Sequence, residues 1–346
     1  MPSSQVRSRR RAGLSAAVGV VLVVAAIAVA LVALTDSGGD SSTTAAASPS
    51  TGPADGFAQV VKAASPSVVQ IRSSRGLGSG IVFDREGHIV TNAHVVAGST
   101  SFQVTAADGS THAAKLRGVF PQGDLAVVEV SGAKLPPARF ADSSKVRTGE
   151  YALAIGNPLG LRSSVTQGIV SATSRTVSEG GGVALPSVIQ TSAAINPGNS
   201  GGALVDSTGA VIGVPTLAAL DPELGGSAAP GIGFAISSNT VRSIAPQLIA
   251  RGRVQSSGRA WLGVDLRSMP GGGALVASVV RGGPAALAGI QVGDTILSVA
   301  GSPTPTTDDL AVALAQQKPG ATVSIQYRGA NGTRTARVKL GQAPAA

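Results

Sequence analysis

The sequence predicts a mainly β fold, preceded by one transmembrane helix and followed by a small α+β module. From residue 68 to 236, short runs rich in Val, Ile and Thr are separated by Gly, Pro, Asn and Asp, as in antiparallel strands joined by turns. This region lacks the alternation of strands and long helices that a parallel sheet requires. We therefore expect an antiparallel barrel or sandwich there.

The individual elements follow from local patterns. Strand-like runs occupy residues 68–71, 80–83, 89–91, 101–105, 126–130, 151–155, 168–171, 188–191, 203–205, 211–214 and 234–236. Apolar residues at helical spacing predict a helix over 57–64, which Ser65-Pro66 should end. A second helix is expected over 239–250, with Asn239 as its N-cap. These elements place the first domain at residues 57–252.

A second module covers residues 258–342. Its strand-like runs are 262–266, 274–280, 295–299, 322–327 and 333–340, and its helical segments are 284–288 and 307–317. Asn331-Gly332 separates the last two runs, and this dipeptide favours a tight two-residue hairpin turn. The pattern predicts a small α+β domain.

The N-terminal segment has the pattern of a membrane anchor. Residues 13–34 are 22 consecutive uncharged residues, mostly Val, Ala, Leu and Ile, and about 20 are needed to cross a bilayer as a helix. Four Arg precede this segment and Asp residues follow it, so we expect residues 1–12 in the cytoplasm and the rest of the chain outside. A cleaved signal peptide, with Ala28-Val29-Ala30 as its cleavage site, is the alternative.

Composition excludes several classes of function. The 346-residue chain has no Cys, which rules out disulfides, thiolate nucleophiles and Cys-ligated metals. Of the net charge of +9, four charges are the Arg of residues 1–12, and the chain has few aromatic residues on which bases could stack. We therefore do not expect a nucleic-acid partner. Residues 35–56 are rich in Ser, Thr, Ala, Gly and Pro and predict a flexible linker.

A glycine-rich segment around Ser200 is the main candidate for catalysis. Gly198-Asn199-Ser200-Gly201-Gly202 can form a tight turn whose backbone N–H groups converge, as a nucleophile with an oxyanion hole requires. The segment also fits the nucleophile elbow of α/β-hydrolases, and similar sequences form plain loops. The hydrolase order needs a His after the Ser, and the three His, at 88, 94 and 112, all precede Ser200.

The order His, Asp, Ser of chymotrypsin-like barrels is available instead. His94 follows the apolar strand pattern of residues 89–91 and is flanked by apolar residues, so its ring would be held rigidly, whereas His88 and His112 lie in polar segments. Asp124 directly precedes the buried-strand pattern of residues 125–130 and is the best candidate for the orienting carboxylate. A plain cap at the start of the strand is the alternative role for Asp124.

Six segments together carry a family resemblance. They are Gly78-Ser79-Gly80, Thr91-Asn92-Ala93-His94-Val95-Val96, Asp124-Leu125-Ala126-Val127, Ala154-Ile155-Gly156-Asn157-Pro158, Gly168-Ile169-Val170-Ser171 and Ala194-Ile195-Asn196-Pro197-Gly198-Asn199-Ser200-Gly201-Gly202. In these segments, and over residues 65–340 as a whole, the chain resembles the HtrA/DegP family of trypsin-like serine proteases with C-terminal PDZ domains.

The resemblance implies a chymotrypsin-like double antiparallel β-barrel with a catalytic triad of His94, Asp124 and Ser200 and no metal or other cofactor. It implies an oxyanion hole at the backbone N–H groups of Gly198 and Ser200, with Asn199 as a further contributor. Members of the family commonly assemble as trimers, so the resemblance also implies a homo-oligomer, expected to be a trimer.

Other residues take their expected roles from the same resemblance. Ile195 resembles a residue that lines the primary specificity pocket and suggests small aliphatic P1 side chains. The segment Trp261-Leu262-Gly263-Val264 is similar to the carboxylate-binding loop of a PDZ domain. Two positions depart from the family pattern: Ser192 replaces the usual Asp, and Pro215 lies in a strand expected to border the substrate, where it removes a backbone donor.

The sequence therefore predicts a membrane-anchored serine endopeptidase that degrades misfolded or exposed polypeptides outside the cytoplasm and binds peptide C-termini through its PDZ domain. Two alternatives remain open. One is a tethered scaffold or chaperone that holds its clients without cutting them. The other is an esterase that uses the same triad.

Overall fold

The computed structural model describes residues 53–343, apart from 75, 158–163, 181–182, 197, 222–226 and 270–272. Residues 51–346 form one compact unit. The predicted basic arm, the predicted membrane helix at 13–34 and most of the predicted linker lie outside the described residues. None of the helices that are described is long and apolar enough to cross a membrane.

Twelve strands form two closed antiparallel barrels, which confirms the predicted double barrel. The first barrel has the order β1-β2-β3-β6-β5-β4 and the second has the order β10-β11-β12-β9-β8-β7. Their bounds are β1 Val68–Arg72, β2 Leu77–Val82, β3 His88–Thr91, β4 Ser101–Thr105, β5 Thr111–Phe120, β6 Leu125–Val130, β7 Tyr151–Gly156, β8 Ser164–Gly180, β9 Val183–Thr191, β10 Ala203–Val205, β11 Val211–Asp221 and β12 Ser227–Ser237.

In the part of the chain that the structure describes, three helices accompany the barrels. They are α1 Pro53–Ala64, α2 Ala93–Val96 and α3 Ser238–Arg251. Helix α1 begins four residues before the expected start, so the end of the predicted flexible linker is helical. The predicted Asn239 cap of α3 is wrong. Ser237 has the extended backbone of an N-cap, whereas the Asn239 amide donates to Asp142.

Each barrel has a hydrophobic core of its own, and a further hydrophobic cluster lies between the two barrels. Because successive strand residues point to opposite faces, Val69 lies inside the first barrel while Val68 packs in the cluster that joins both barrels with α1 and α3. The second barrel has its own interior, which includes Leu204 and Ile212. The shared cluster fixes the barrels against each other, and residues from the two barrels can therefore meet in a defined geometry.

The C-terminal domain has a sheet of order β14-β15-β16-β18-β19, in which β14 and β19 are the edges. The bounds are β13 Ala260–Trp261, β14 Val264–Ser268, β15 Ala274–Val279, α4 Pro284–Leu287, β16 Thr295–Val299, β17 Ser302–Pro303, α5 Thr307–Ala315, β18 Thr322–Gly329, β19 Gly332–Lys339 and β20 Gly341–Gln342. Its separate core includes Leu262, Ile296, Leu310 and Ile325. The predicted α+β domain is confirmed.

The last hairpin forms as predicted, but its turn lies one residue earlier. Gly329 pairs with Gly332, so Ala330 and Asn331 form the loop. Gly332 has a φ of 95° and opens β19. A positive φ just after a two-residue turn, at a glycine, is typical of a bulge and not of the predicted Asn-Gly turn.

Candidate active site

His94 and Asp124 form a hydrogen-bonded pair in the first barrel. The distances from His94 Nδ1 to Asp124 Oδ2 and Oδ1 are 2.9 and 3.1 Å, and the backbone N–H of His94 donates to Oδ1 at 3.0 Å. An ionised carboxylate only accepts, so Nδ1 carries the proton and Nε2 is left as a base. The His94 side chain is 51% exposed and that of Asp124 is 5% exposed, so the base can be reached while its partner is shielded.

The chain approaches Asp124 through a strained turn. Residues 121–123 form a 3₁₀ turn, and Asp124 then has a left-handed backbone, with φ 45°. A non-glycine residue in this conformation costs energy, and such residues cluster at functional sites. The side-chain amide of Asn92, just before α2, donates to the Asp124 carbonyl at 3.0 Å. This hydrogen bond ties the start of α2, the helix that carries His94, to Asp124.

Thr216 links this pair to the second barrel. Its hydroxyl donates to Asp124 Oδ2 at 2.5 Å, and its carbonyl lies 3.5 Å from Ser200 Oγ. The structure thus brings Ser200 to the junction at which His94 and Asp124 meet. Sequence reasoning missed Thr216, because its partner is 92 positions away and no local pattern indicates the contact.

Ser79 fixes the loop that carries Ser200. The Ser79 hydroxyl donates to the Gly198 carbonyl at 2.5 Å and accepts from the Asn157 N–H at 2.8 Å. Its backbone N–H donates to the Ser200 carbonyl at 3.0 Å. Sequence reasoning assigned Ser79 no role. A serine between two glycines in a strand pattern is the signal that could have indicated a close backbone approach.

The Gly198 carbonyl is turned toward Ser79, and Gly198 has a φ of 119°, which only glycine adopts readily. Within the described part of the chain, the N–H groups of Gly198 and Ser200 donate no hydrogen bond. The Asn199 N–H donates to the Asn196 carbonyl, and its side-chain amide donates to Ala194 at 3.0 Å. Both of these hydrogen bonds of Asn199 support the loop, and its contribution to the oxyanion hole stays a prediction.

Apolar residues occur near the site in two settings. Ile195 is 7% exposed and packs in the core of the second barrel, so closely against Gly233 that a Cβ added to Gly233 would overlap the Ile195 side chain. A cavity of about 720 Å³ adjoins His94 and Asp124, and Leu116 and Val119 line it. This cavity can accept an apolar side chain.

The two departures from the family pattern have definite contacts. The Ser192 hydroxyl accepts from the Ile169 N–H at 3.0 Å, so it ties β8 to the segment before the nucleophile loop. The Pro215 carbonyl accepts from the Gly201 N–H at 3.0 Å. His88 is paired with Asp84 at 2.7 Å, in the β2–β3 hairpin and away from Ser200.

The predicted carboxylate-binding loop leads into the edge strand β14. Gly263, with φ 81°, places the loop in a left-handed turn, and its carbonyl accepts from the Val280 N–H. The Leu262 side chain is buried in the domain core, so only its backbone can serve a ligand. A cavity of about 450 Å³ lies between this edge and α5, and its lining includes Trp261 and Val264.

This cavity also borders the protease barrels. Phe120, Gln122, Val183 and Ala184 line it from the barrel side, and the Arg259 guanidinium donates to the Gln122 carbonyl. No group of three or more His, Cys, Asp or Glu side chains close enough to hold a metal ion occurs among the residues that the structure describes.

The chain matches two domain families. Residues 78–214 match the trypsin-like peptidase domain and residues 260–340 match the PDZ domain. The double barrel, the His-Asp pair and the adjacent serine loop thus define a trypsin-like serine peptidase domain followed by a PDZ domain.

Known proteins give the same assignment. The chain is 39% identical over 285 residues to a probable periplasmic serine endoprotease, DegP-like, of Pseudomonas fulva, covering 79% of this chain and 57% of the relative. It is 36% identical to the putative serine protease HhoB of Synechocystis, covering 78% and 67%. This protein belongs to the HtrA/DegP family of serine endoproteases. It spans little more than half the length of its DegP-like relatives.

Solved structures agree with this assignment. The HtrA-type protease AlgW with tripeptide superposes with a TM-score of 0.59 at 35% identity, covering 83% of this chain and 97% of that one. The serine endoprotease from Yersinia pestis gives a TM-score of 0.57 at 33% identity, covering 83% and 98%. These likenesses include both the peptidase and the PDZ domains, since they cover most of each chain.

Proposed function

We propose that this protein is a membrane-anchored serine endopeptidase that degrades misfolded or exposed polypeptides outside the cytoplasm, with a PDZ domain that binds peptide C-termini. The observation that carries the proposal is the contact of His94 Nδ1 with a buried Asp124, at 2.9 Å, at the junction that also holds Ser200. With Nδ1 turned to Asp124, Nε2 is the ring nitrogen that can act as a base toward a serine hydroxyl.

The chemistry follows from the triad. Ser200 Oγ attacks the scissile carbonyl carbon while His94 Nε2 takes the hydroxyl proton, and Asp124 stabilises the resulting imidazolium. The N–H groups of Gly198 and Ser200 donate to the oxyanion of the tetrahedral intermediate. His94 then gives its proton to the leaving amine, and water hydrolyses the acyl-enzyme by the same steps in the second half of the cycle.

The surfaces beside the triad suit an extended apolar segment. Ile195 gives the P1 pocket an aliphatic wall, which favours small aliphatic P1 side chains. The cavity bounded by Leu116 and Val119 can take a second apolar side chain near His94. Such segments are buried in folded proteins and exposed in misfolded ones, which supports misfolded polypeptides as substrates.

The C-terminal domain has an open edge for a peptide. In the β14–β15 pairing the Val280 N–H donates to the Gly263 carbonyl, so the polar backbone groups of Val264 point away from β15, toward α5. A peptide can add there as a further strand and place its carboxylate on the N–H groups of residues 262–264. The apolar Leu314 on α5 lines the same cavity and favours an apolar C-terminal residue.

The proposed membrane anchor and the proposed extracytoplasmic location are argued from the sequence. Residues 13–34 are long and apolar enough to cross a bilayer, and the Arg residues before them favour a cytoplasmic N-terminus. A relative described as periplasmic supports an extracytoplasmic catalytic domain. We also propose a homo-oligomer, because Tyr151 is 58% exposed while it packs edge-to-face with Phe57, an arrangement suited to burial against another subunit.

Digestion of unfolded casein by residues 51–346, beside Ser200→Ala, tests the proposal. The fragment is one compact unit, so it can be studied without the N-terminal segment. We expect the wild type to cleave casein and the variant to bind but not cleave it. If the wild type binds casein but leaves it intact, the result would support the alternative of a scaffold or chaperone. If it cleaves only small esters, the result would support the alternative of an esterase.

A further inference from the structure

The second half of the PDZ domain is a region of unbalanced positive charge. From residue 310 to 346 the chain contains five basic residues and no Asp or Glu. Four of them lie on the hairpin formed by β18 and β19. Arg334 is on one side of the hairpin, and Arg328, Arg337 and Lys339 are on the other. We call the side that carries these three residues the basic face.

The register of the hairpin puts the three side chains on one surface. Arg328 pairs with Thr333, and Thr333, Arg337 and Lys339 are separated by even numbers of residues along β19. Side chains at such spacing point to the same side of a sheet. All three basic residues are exposed, whereas the opposite side of the hairpin contributes Ile325 to the domain core.

The acidic groups of the domain do not neutralise this face. Asp265 accepts from the Ser278 hydroxyl, and Asp294 is buried and accepts from the Gln291 N–H. The other two acidic residues, Asp308 and Asp309, lie in the first turn of α5, where Asp309 caps the helix. The ion pairs found among the described residues do not include Arg328, Arg337 or Lys339. The charge of the basic face is therefore available to a partner.

The spacing of the charges indicates the shape of that partner. Lys339 lies six residues along β19 from the position opposite Arg328, which is roughly 20 Å in an extended strand. One phosphate or carboxylate cannot reach both ends of such a row. The hydroxyls of Thr322, Ser324, Thr333 and Thr335 lie between the cations on the same face and can donate to further anionic oxygens.

We propose that the basic face binds the headgroups of anionic phospholipids and holds the PDZ domain against the membrane surface. A bilayer presents many phosphates in a plane, as an exposed and extended face requires. The choice of a membrane over a nucleic acid rests on the proposed function, because an anchored chain outside the cytoplasm is always close to a bilayer.

Vesicle co-sedimentation of residues 51–346 tests this proposal without the N-terminal segment. The probes are vesicles of phosphatidylcholine alone and vesicles with equal parts of phosphatidylglycerol. The test variant carries Arg328→Gln, Arg337→Gln and Lys339→Gln. Its matched control carries Arg85→Gln, Lys115→Gln and Lys134→Gln, which remove the same net charge from exposed positions of the first barrel domain.

We expect the wild type and the control to bind only the phosphatidylglycerol vesicles, and more weakly at high salt. The test variant should bind the phosphatidylglycerol vesicles roughly 100-fold more weakly than the wild type, because each of the three basic residues contributes about fivefold to the affinity. Equal binding by the test variant and wild type, an equal loss in the control, or binding to oligonucleotides but not to vesicles would overturn the proposal. Casein cleavage by the same samples reports separately on the peptidase.

Discussion

The hydroxyl of Thr216 donates to Asp124 Oδ2, the oxygen that also faces His94 Nδ1 at 2.9 Å. Thr216 lies in the second barrel, and Asp124 precedes β6 of the first. Because Asp124 is buried, its charge is stable only if such donors replace water. The orientation of the catalytic pair therefore depends on how the two barrels pack together.

Thr216→Val should lower kcat/KM with little change in KM. The substitution keeps the shape of the side chain and removes the hydroxyl, so we expect a loss of about 10- to 100-fold, equivalent to one hydrogen bond to a charged group. Steady-state kinetics on a peptide substrate measure both constants. Thr216→Ser keeps the donor and should retain most of the activity, and an equal loss in the two variants would contradict this role.

Ser79→Ala should destabilise the fold and slow the reaction of Ser200. It leaves the buried Asn157 N–H and the Gly198 carbonyl without their partner, which costs about 2 kcal/mol in the free energy of unfolding. Urea unfolding measures this change. Ser110→Ala removes an exposed hydroxyl that binds Asp108 and serves as the control. If Ser79→Ala and Ser110→Ala have the same free energy of unfolding, the buried hydrogen bonds of Ser79 do not contribute to the stability of the fold.

Gly201→Ala should abolish activity and leave only a small fraction of the protein folded. Gly201 has a φ of 78°, and a Cβ there would overlap the Ser79 carbonyl and Thr91 Oγ1. Gly109→Ala is the matched control, since Gly109 has a φ of 88° but no atom within 4 Å of the added Cβ. We expect the control to lose only the roughly 1–2 kcal/mol of left-handed strain. Similar melting temperatures for the two variants would show that the site tolerates the Cβ.

Asp142 should contribute to stability only above acidic pH. Hydrogen bonds from the Ser144 and Asn239 side chains lower the pKa of Asp142 from 3.8 to about 2. A pKa lowered in the folded state means that the contribution is complete above pH 3.8 and is lost as the pH falls toward 2. The Tm difference between wild type and Asp142→Asn should therefore narrow over this range. A constant difference down to pH 2 would contradict the shift.

Most of the fold was predictable because its signals are local. The strands of residues 101–105 and 203–205 have the predicted bounds, since apolar runs between turn residues determine them. Strand β5 was not predicted, because Ala, Lys and Gly in residues 113–118 blur its alternation. The β8 and β9 strands extend well beyond the predicted runs, since their pairing with each other supports residues of weak strand preference.

The site was predictable where chemistry restricts the residue type. His94, Asp124 and Ser200 could be selected by their order and by the neighbouring strand patterns. Thr216 and Ser79 could not be assigned, because their roles arise from contacts across the barrels. The hydrogen bond from the Asn199 N–H to the Asn196 carbonyl could not be predicted either, because it depends on the backbone conformation of the loop.

The central claim is that Ser200, His94 and Asp124 act as one triad, and covalent labelling with a fluorophosphonate tests it most directly. The measurement is the labelling rate of residues 51–346 as wild type, Asp124→Asn and Ser200→Ala, with the modified residue identified by mass spectrometry. We predict a label on Ser200 in the wild type, none at that position in Ser200→Ala, and a rate lower by about 10⁴ in Asp124→Asn. A label on another residue, or an unchanged rate in Asp124→Asn, would contradict the account.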